Sequence, residues 1–201
     1  QELLRSAYKE TGAVTAHTLT LQSLASPVAC LRAGPTNATH CAILLHSMAF
    51  RAETWKVTGT LDALAGANLQ AVALDLPRYE CCKGDVRATL LRDVMTALGW
   101  KRRMVIVIAA SMGGTVGSAF VLNPGDVHVA GYISVSALLS ANDPAHSKVP
   151  ALLIWGERDH PTSGKAKKQQ ALFARHQMVV IPDAPHACYL KDPALFNALI
   201  V

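Results

Sequence analysis

Short apolar runs alternate with longer amphipathic stretches along most of this chain. "CAILLHS" (41–47) is apolar without alternation, which predicts a strand buried on both faces. A helix containing "ETWKVTGTLDALAGA" (53–67) follows, then a strand in "LQAVALDLP" (69–77) and a helix in "DVRATLLRDVMTALGW" (85–100). "RMVIVIAAS" (103–111) predicts the next strand and leads directly into a helix of small residues, "MGGTVGSAFVLN" (112–123). Three more strands are expected in "GYISVSA" (131–137), "ALLIWGE" (151–157) and "QMVVIPDA" (177–184). A helix around 162–175 separates the last two, and another begins near 192. Ahead of this repeating part, "HTLTLQSLASPVACLRA" (17–33) alternates and turns at Ser26-Pro27, the pattern of an antiparallel hairpin.

Strands with two apolar faces, alternating with helices, predict an α/β fold. Right-handed crossovers make it doubly wound, with a mostly parallel sheet and helices on both faces. The segment between the sixth and seventh strands, "LLSANDPAHSKV" (138–149), is too short for a cap domain. The 201 residues are expected to form a single domain, with 1–16 as an N-terminal extension. The opening "QELLRSAYKE" has no initiator Met and reads as a trimmed or incomplete terminus.

Charge and cysteines narrow the function classes. A net charge of +5 invites a nucleic-acid reading. The basic runs "KRR" (101–103) and "KAKK" (165–168), however, are not interleaved with aromatics and read as solvated surface. No apolar run approaches the roughly 18 residues needed to span a bilayer. The five cysteines, Cys30, Cys41, Cys81, Cys82 and Cys188, form no C-x-x-C. They read as reduced thiols of a cytoplasmic or nuclear protein, not as a disulfide framework or a metal site.

In doubly wound sheets, chemistry collects beyond the carboxyl ends of the strands. Reactive side chains there are His46-Ser47, Asp75, Ser111, Asp159 and His186. Ser111 stands between a strand and a small-residue helix, in the setting of a nucleophile elbow, where positions two before and two after must be small. Ala109 and Gly113 meet that demand, although the usual G-x-S-x-G has glycine at the first. Read alone, A-A-S-M-G fits a strand-to-helix turn with a serine cap as well as an elbow. Asp159 ends "LLIWGERD" and His186 lies in "PDAPHACYL", so Ser, Asp and His occur in α/β-hydrolase order, each after a different strand. Glu157 is a neighbouring, lower-ranked acid. The oxyanion hole is expected from the N–H groups of Met112 and Met48, with Ser47 and Phe50 shaping the loop and His46 a structural residue beneath it.

"AILLHSMAFRAETW", "GTLDALAGANLQAVALDLPR", "ALLIWGERDH" and "APHACYLKDP" together resemble the α/β-hydrolase domain-containing protein 14 family, especially its B-type members. The likeness runs from about residue 17 onward. Its more specific parts are "F-x-x-E-T-W" after the first core strand and "H-x-C-Y-L" after the last. It implies a cap-less serine hydrolase fold, cytoplasmic or nuclear, with Ser111, Asp159 and His186 at the triad positions. It also implies activity on small activated esters, acyl transfer from acetylated lysine to coenzyme A, and transcription-factor partners. Two departures stand out. The family's His-Gly is His46-Ser47 here, which puts a side chain beside the oxyanion loop. The chain also passes from Arg78 straight to "YECCKGD", where the resemblance implies a longer loop: either the loop is naturally short or residues are missing near 78–83, and the second is the expectation. Three readings remain: a serine hydrolase of small esters or acylated side chains, a catalytically weak binding protein of the same fold, and a lysine deacetylase with coenzyme A as acceptor. None calls for a metal or a resident cofactor.

Overall fold

In the computed structural model the described residues are 13–77, 84–137, 139, 146–161 and 163–201. The loop expected to be incomplete near 78–83, with Cys81 and Cys82, lies outside them, as do residues 1–12, 138, 140–145 and 162.

Among the described residues, eight strands form one sheet. β1 (Thr15–Leu19) and β2 (Val28–Ala33) make the expected antiparallel hairpin, and β2 then pairs antiparallel with β4 (Gln70–Leu74). From β4 onward every pairing is parallel, through β3 (His40–Leu45), β5 (Met104–Ala110), β6 (Val129–Val135), β7 (Ala151–Gly156) and β8 (His176–Ile181). The spatial order is β1-β2-β4-β3-β5-β6-β7-β8.

Both faces of the central strands are covered. In β3, Cys41, Ile43 and Leu45 enter one core while Ala42 and Leu44 enter the other. In β5, Val107 and Ala109 face the first core and Ile108 and Ala110 the second. A strand sandwiched in this way needs apolar residues at every position, which is why these runs lack alternation. Helices α3 (Gly84–Ala97), α4 (Gly113–Leu122) and α5 (Gly164–Leu172) cover the first face. Helices α1 (Ala52–Val57), α2 (Thr60–Gly66) and α6 (Pro193–Ile200) cover the second.

One expectation is corrected. The single helix expected over 53–67 is two, α1 and α2, broken at Thr58-Gly59. Gly59 takes φ 70°, a conformation glycine reaches without a steric penalty. The Thr58 hydroxyl turns back on the Thr54 carbonyl, and Thr60 donates to Asn197 of α6. The break therefore ties the helix pair to the C-terminal helix.

Chain direction across the sheet reverses between β3 and β5, since β4 lies to one side of β3 and β5 to the other. Ligands bind outside the carboxyl ends of strands at such a switch point. Leu45 and Ala109 are paired there, so the loop after β3 and the turn after β5 emerge side by side.

Candidate active site

Ser111 is the first residue past β5 and adopts φ 45°. For a non-glycine residue that conformation costs about 1–2 kcal/mol. Its N–H donates to Val135 O at the end of β6 (3.0 Å), and its carbonyl accepts from Gly114 N–H (2.9 Å). Close packing enforces the turn. A Cβ on Gly113 would lie 2.7 Å from Leu45 Cβ and 2.8 Å from Leu45 O, so α4 can begin against β3 only with glycine there. The methyl at Ala109, the departure from the usual motif, is met across the interface by Gly117, whose own Cβ would fall 2.8 Å from it. One methyl is allowed at this contact, and here the strand carries it.

The other two side chains arrive from separate loops. Asp159 ends a short 3₁₀ turn, Glu157–Asp159, directly after β7, and His186 follows β8. His186 Nε2 is 2.8 Å from Ser111 Oγ, and Nδ1 is 2.8 Å from Asp159 Oδ2. With a carboxylate on Nδ1, the proton rests there and Nε2 is left to accept from the serine hydroxyl. The structure thus brings together the three strand-end residues that the sequence pattern selects.

The residues before Asp159 seat this pair, and no spacing rule reveals them. A Cβ on Gly156 would collide with the Pro185 and Ala184 carbonyl oxygens, so glycine lets the histidine loop lie across the end of β7. Arg158 N–H donates to Ala184 O (3.0 Å), and its guanidinium meets Asp183 Oδ1 (2.9 Å). That cation holds the Asp183 carboxyl below its ordinary pKa. Glu157 accepts from Asp183 N–H (2.8 Å). It therefore faces the clamp and not the imidazole.

Asp75, also at a strand end, accepts from Ala52 N–H and caps α1, which has no cap from Arg51. His46 is 2% exposed, with Nδ1 donating to Ser47 O (2.7 Å) and Nε2 accepting from Leu76 N–H (2.9 Å). Nε2 thus ties the loop after β3 to the loop after β4, while Nδ1 bonds within the first loop. Met112 is buried at the start of α4, where helical N–H groups lack intrahelical partners, and Met48 lies on the exposed loop opposite. Ser47 is buried and its hydroxyl faces Tyr189 Oη at 3.5 Å, a long contact.

The arrangement joins a strained serine, an imidazole and a carboxylate at the switch point of a doubly wound sheet. No protein-family profile matches the chain. Individual relatives do. ABHD14B of Rattus norvegicus, named as a candidate protein-lysine deacylase, is 31% identical over 164 residues, covering 75% of this chain and 76% of that protein. The chain belongs to the ABHD14 family of α/β-hydrolases. ABHD14A of Danio rerio is 31% identical over 170 residues, 79% of this chain and 62% of that protein. This chain thus spans less than two thirds of that relative's length. Among solved structures, a CIB-like hydrolase from Thermoplasma acidophilum superposes with a TM-score of 0.79 at 21% identity, covering 95% and 97% of the two chains. That likeness shows the shared fold.

The two most specific ABHD14-like motifs meet each other in space. Trp55 of "F-x-x-E-T-W" stacks on Tyr189 of "H-x-C-Y-L" at 4.8 Å, and Phe50 packs edge-on to the same ring at 6.2 Å. Phe196 of α6 completes the cluster. Aromatic contacts of this kind contribute about 0.5–1.5 kcal/mol each beyond burial. They join the loop expected to carry one oxyanion donor to the loop that carries His186. Cys188, two residues past His186, is fully buried, and burial pushes its thiol pKa up to about 12. That thiol is unsuited to nucleophilic work. Among the described residues no group of three or more His, Cys, Asp and Glu is placed to hold a metal, and no helix is long and apolar enough to cross a membrane.

Proposed function

We propose that this ABHD14-family chain is a serine hydrolase or acyltransferase acting on small acyl esters or acylated side chains. The observation that carries this reading is the unbroken relay from Ser111 Oγ through His186 to Asp159, with 2.8 Å at each step. Ser111 Oγ attacks the substrate carbonyl carbon while His186 Nε2 takes the hydroxyl proton, and Asp159 stabilises the resulting imidazolium. The carbonyl electrons move onto oxygen, where the Met112 and Met48 N–H groups receive the negative charge; one such donor is typically worth about 3 kcal/mol. The intermediate collapses, the leaving group departs with the proton from His186, and an acyl-serine remains. Water then attacks the acyl carbon, giving its proton to His186, and collapse releases the acid and restores Ser111. A thiol acceptor such as coenzyme A replaces water at that step in the acyltransferase form.

The intact relay favours this reading over a catalytically weak binding protein. So does the position of Ser47, whose hydroxyl is turned toward Tyr189. A fluorophosphonate probe tests the proposal: wild type is labelled and Ser111→Ala is not. Absence of labelling in wild type, or labelling that survives Ser111→Ala, overturns it. Release of free lysine peptide from an acetyl-lysine peptide only after coenzyme A is added identifies the thiol-dependent form.

A further inference from the structure

A cleft of about 560 Å³ opens beside His186 and Asp159, between the ends of β6 and β7 and the start of α5. Its charged lining is one-sided. Lys165 and Lys168 contribute two cations, and the sole carboxylate among the lining residues is Asp159, already bound to His186. Among the described residues, neither lysine enters an ion pair. Both lie in the first two turns of α5, whose first turn holds no acidic residue. The helix dipole favours anions at that end and disfavours cations, so helix stability does not account for the lysines. An anion in the cleft would offset both.

Two of the lining residues, Trp155 and Ser136, carry buried polar atoms. Trp155 Nε1 is buried, on a residue 3% exposed, and has no hydrogen-bond partner among the described residues. The Ser136 hydroxyl, on a residue 1% exposed with φ 44°, lies beside the weakly bonding Cys188 thiol and has no stronger partner among the described residues. Buried donors of this kind are normally satisfied. We propose that this cleft is a subsite for an anionic substituent of the substrate, a carboxylate or phosphate, held by Lys165 and Lys168 at the N-terminus of α5. The inference rests on the Ser111 relay, because a group bonded near the reacting carbonyl reaches the cleft past His186.

The anion can belong to the acyl part or to the leaving group, and paired esters distinguish the two. For the acyl part, 4-nitrophenyl hydrogen succinate is compared with 4-nitrophenyl butyrate. For the leaving group, 4-carboxyphenyl acetate is compared with phenyl acetate. At low ionic strength one charged ester is expected to exceed its neutral partner by about tenfold in kcat/KM. That ratio falls toward one in K165Q/K168Q and in high salt, and is unchanged in K167Q, whose side chain lies outside the cleft lining. A wild-type ratio at or below one for both pairs, or a ratio that survives in the double variant, overturns the subsite. If no ester is turned over, the hydrolase reading fails and the subsite is judged by binding alone. Succinate and inorganic phosphate are titrated against the indole N–H resonance of Trp155. A saturable shift lost in K165Q/K168Q keeps the subsite, and no shift removes it.

Discussion

The serine and its two partners are held in place by different means. Ala109, Ala110, Met112 and Gly113 are buried around Ser111, and the turn is fixed by how closely α4 packs on β3 and β5. His186 and Asp159 stand on the surface, with side chains 49% and 20% exposed, tied together by polar contacts among Glu157, Arg158, Asp183 and Ala184. Shape holds one half of the site and hydrogen bonds hold the other. The first half should fail when a methyl is added. The second should tolerate loss of single exposed contacts and fail where the loops touch directly.

The largest effect is expected on the polar side, at Asp159→Asn. The amide offers an N–H to Nδ1, so the ring shifts to the tautomer that carries its proton on Nε2 and cannot accept from Ser111. By analogy with other triads, kcat should fall about 10⁴-fold at neutral pH. Glu157→Gln, which touches only the clamp, should change kcat a few-fold. A loss below tenfold for Asp159→Asn, or a larger one for Glu157→Gln, would transfer the acid role. Next in size is Gly156→Ala, which pushes the Ala184–Pro185 backbone away and His186 with it. Misplacement of about 1 Å costs roughly 10²-fold in rate. The expected signature is a fall in kcat with cooperative unfolding retained, and normal activity would show that the loop is not seated there. The Arg158–Asp183 pair is exposed and worth little alone. Because Arg158 depresses the Asp183 pKa, its contribution is complete above the ordinary value of 3.8 and fades as pH falls through the lower folded value. Arg158→Ala should therefore differ from wild type at neutral pH and converge with it in strong acid, as thermal melts across that range would show.

On the shape-held side the expected effects are in stability. Gly117→Ala drives a methyl onto Ala109 and, 3.1 Å away, Tyr132 Cε2, and should destabilise by about 1–3 kcal/mol. Ala109→Gly removes a buried methyl and loosens the strand, about 1 kcal/mol. The double exchange moves the one allowed methyl to the helix, where alanine is preferred. It should recover part of the loss, with a coupling of about 1–2 kcal/mol in denaturant melts. Strict additivity would mean that the two positions do not share the space.

These contrasts also explain what the chain discloses before folding is considered. Ser111, Asp159 and His186 are legible because each ends an apolar run, and their order matches one topology. Ala109 looked like a defect only because Gly117, eight residues on, is not visibly its partner in one dimension. The clamp is similarly hidden: Glu157 and Arg158 find Asp183 across about 26 residues, and no periodicity links them. The helix expected over 53–67 failed at Gly59 because the apolar pattern persists through the break, while the Thr60–Asn197 bond that accompanies it comes from the far end of the chain. Two-sided burial writes itself into sequence; contacts between loops do not.

The smallest expected effect bears on where the two halves meet. Ser47 stands where the resemblance leads to an expected glycine, beside the loop proposed to carry an oxyanion donor, and obstruction there would depress turnover. The side chain is buried against Tyr189 instead, with a 3.5 Å oxygen separation that adds little energy. Ser47→Gly should therefore change kcat/KM for a small ester by less than about threefold, since neither an obstruction nor a strong bond is removed. Tyr189→Phe keeps the ring that stacks on Trp55 and should match it. A rise above tenfold in Ser47→Gly alone would show that the hydroxyl swings toward the reacting carbonyl. Equal losses in both variants would instead mean that this hydroxyl pair couples the loop after β3 to the loop that carries His186.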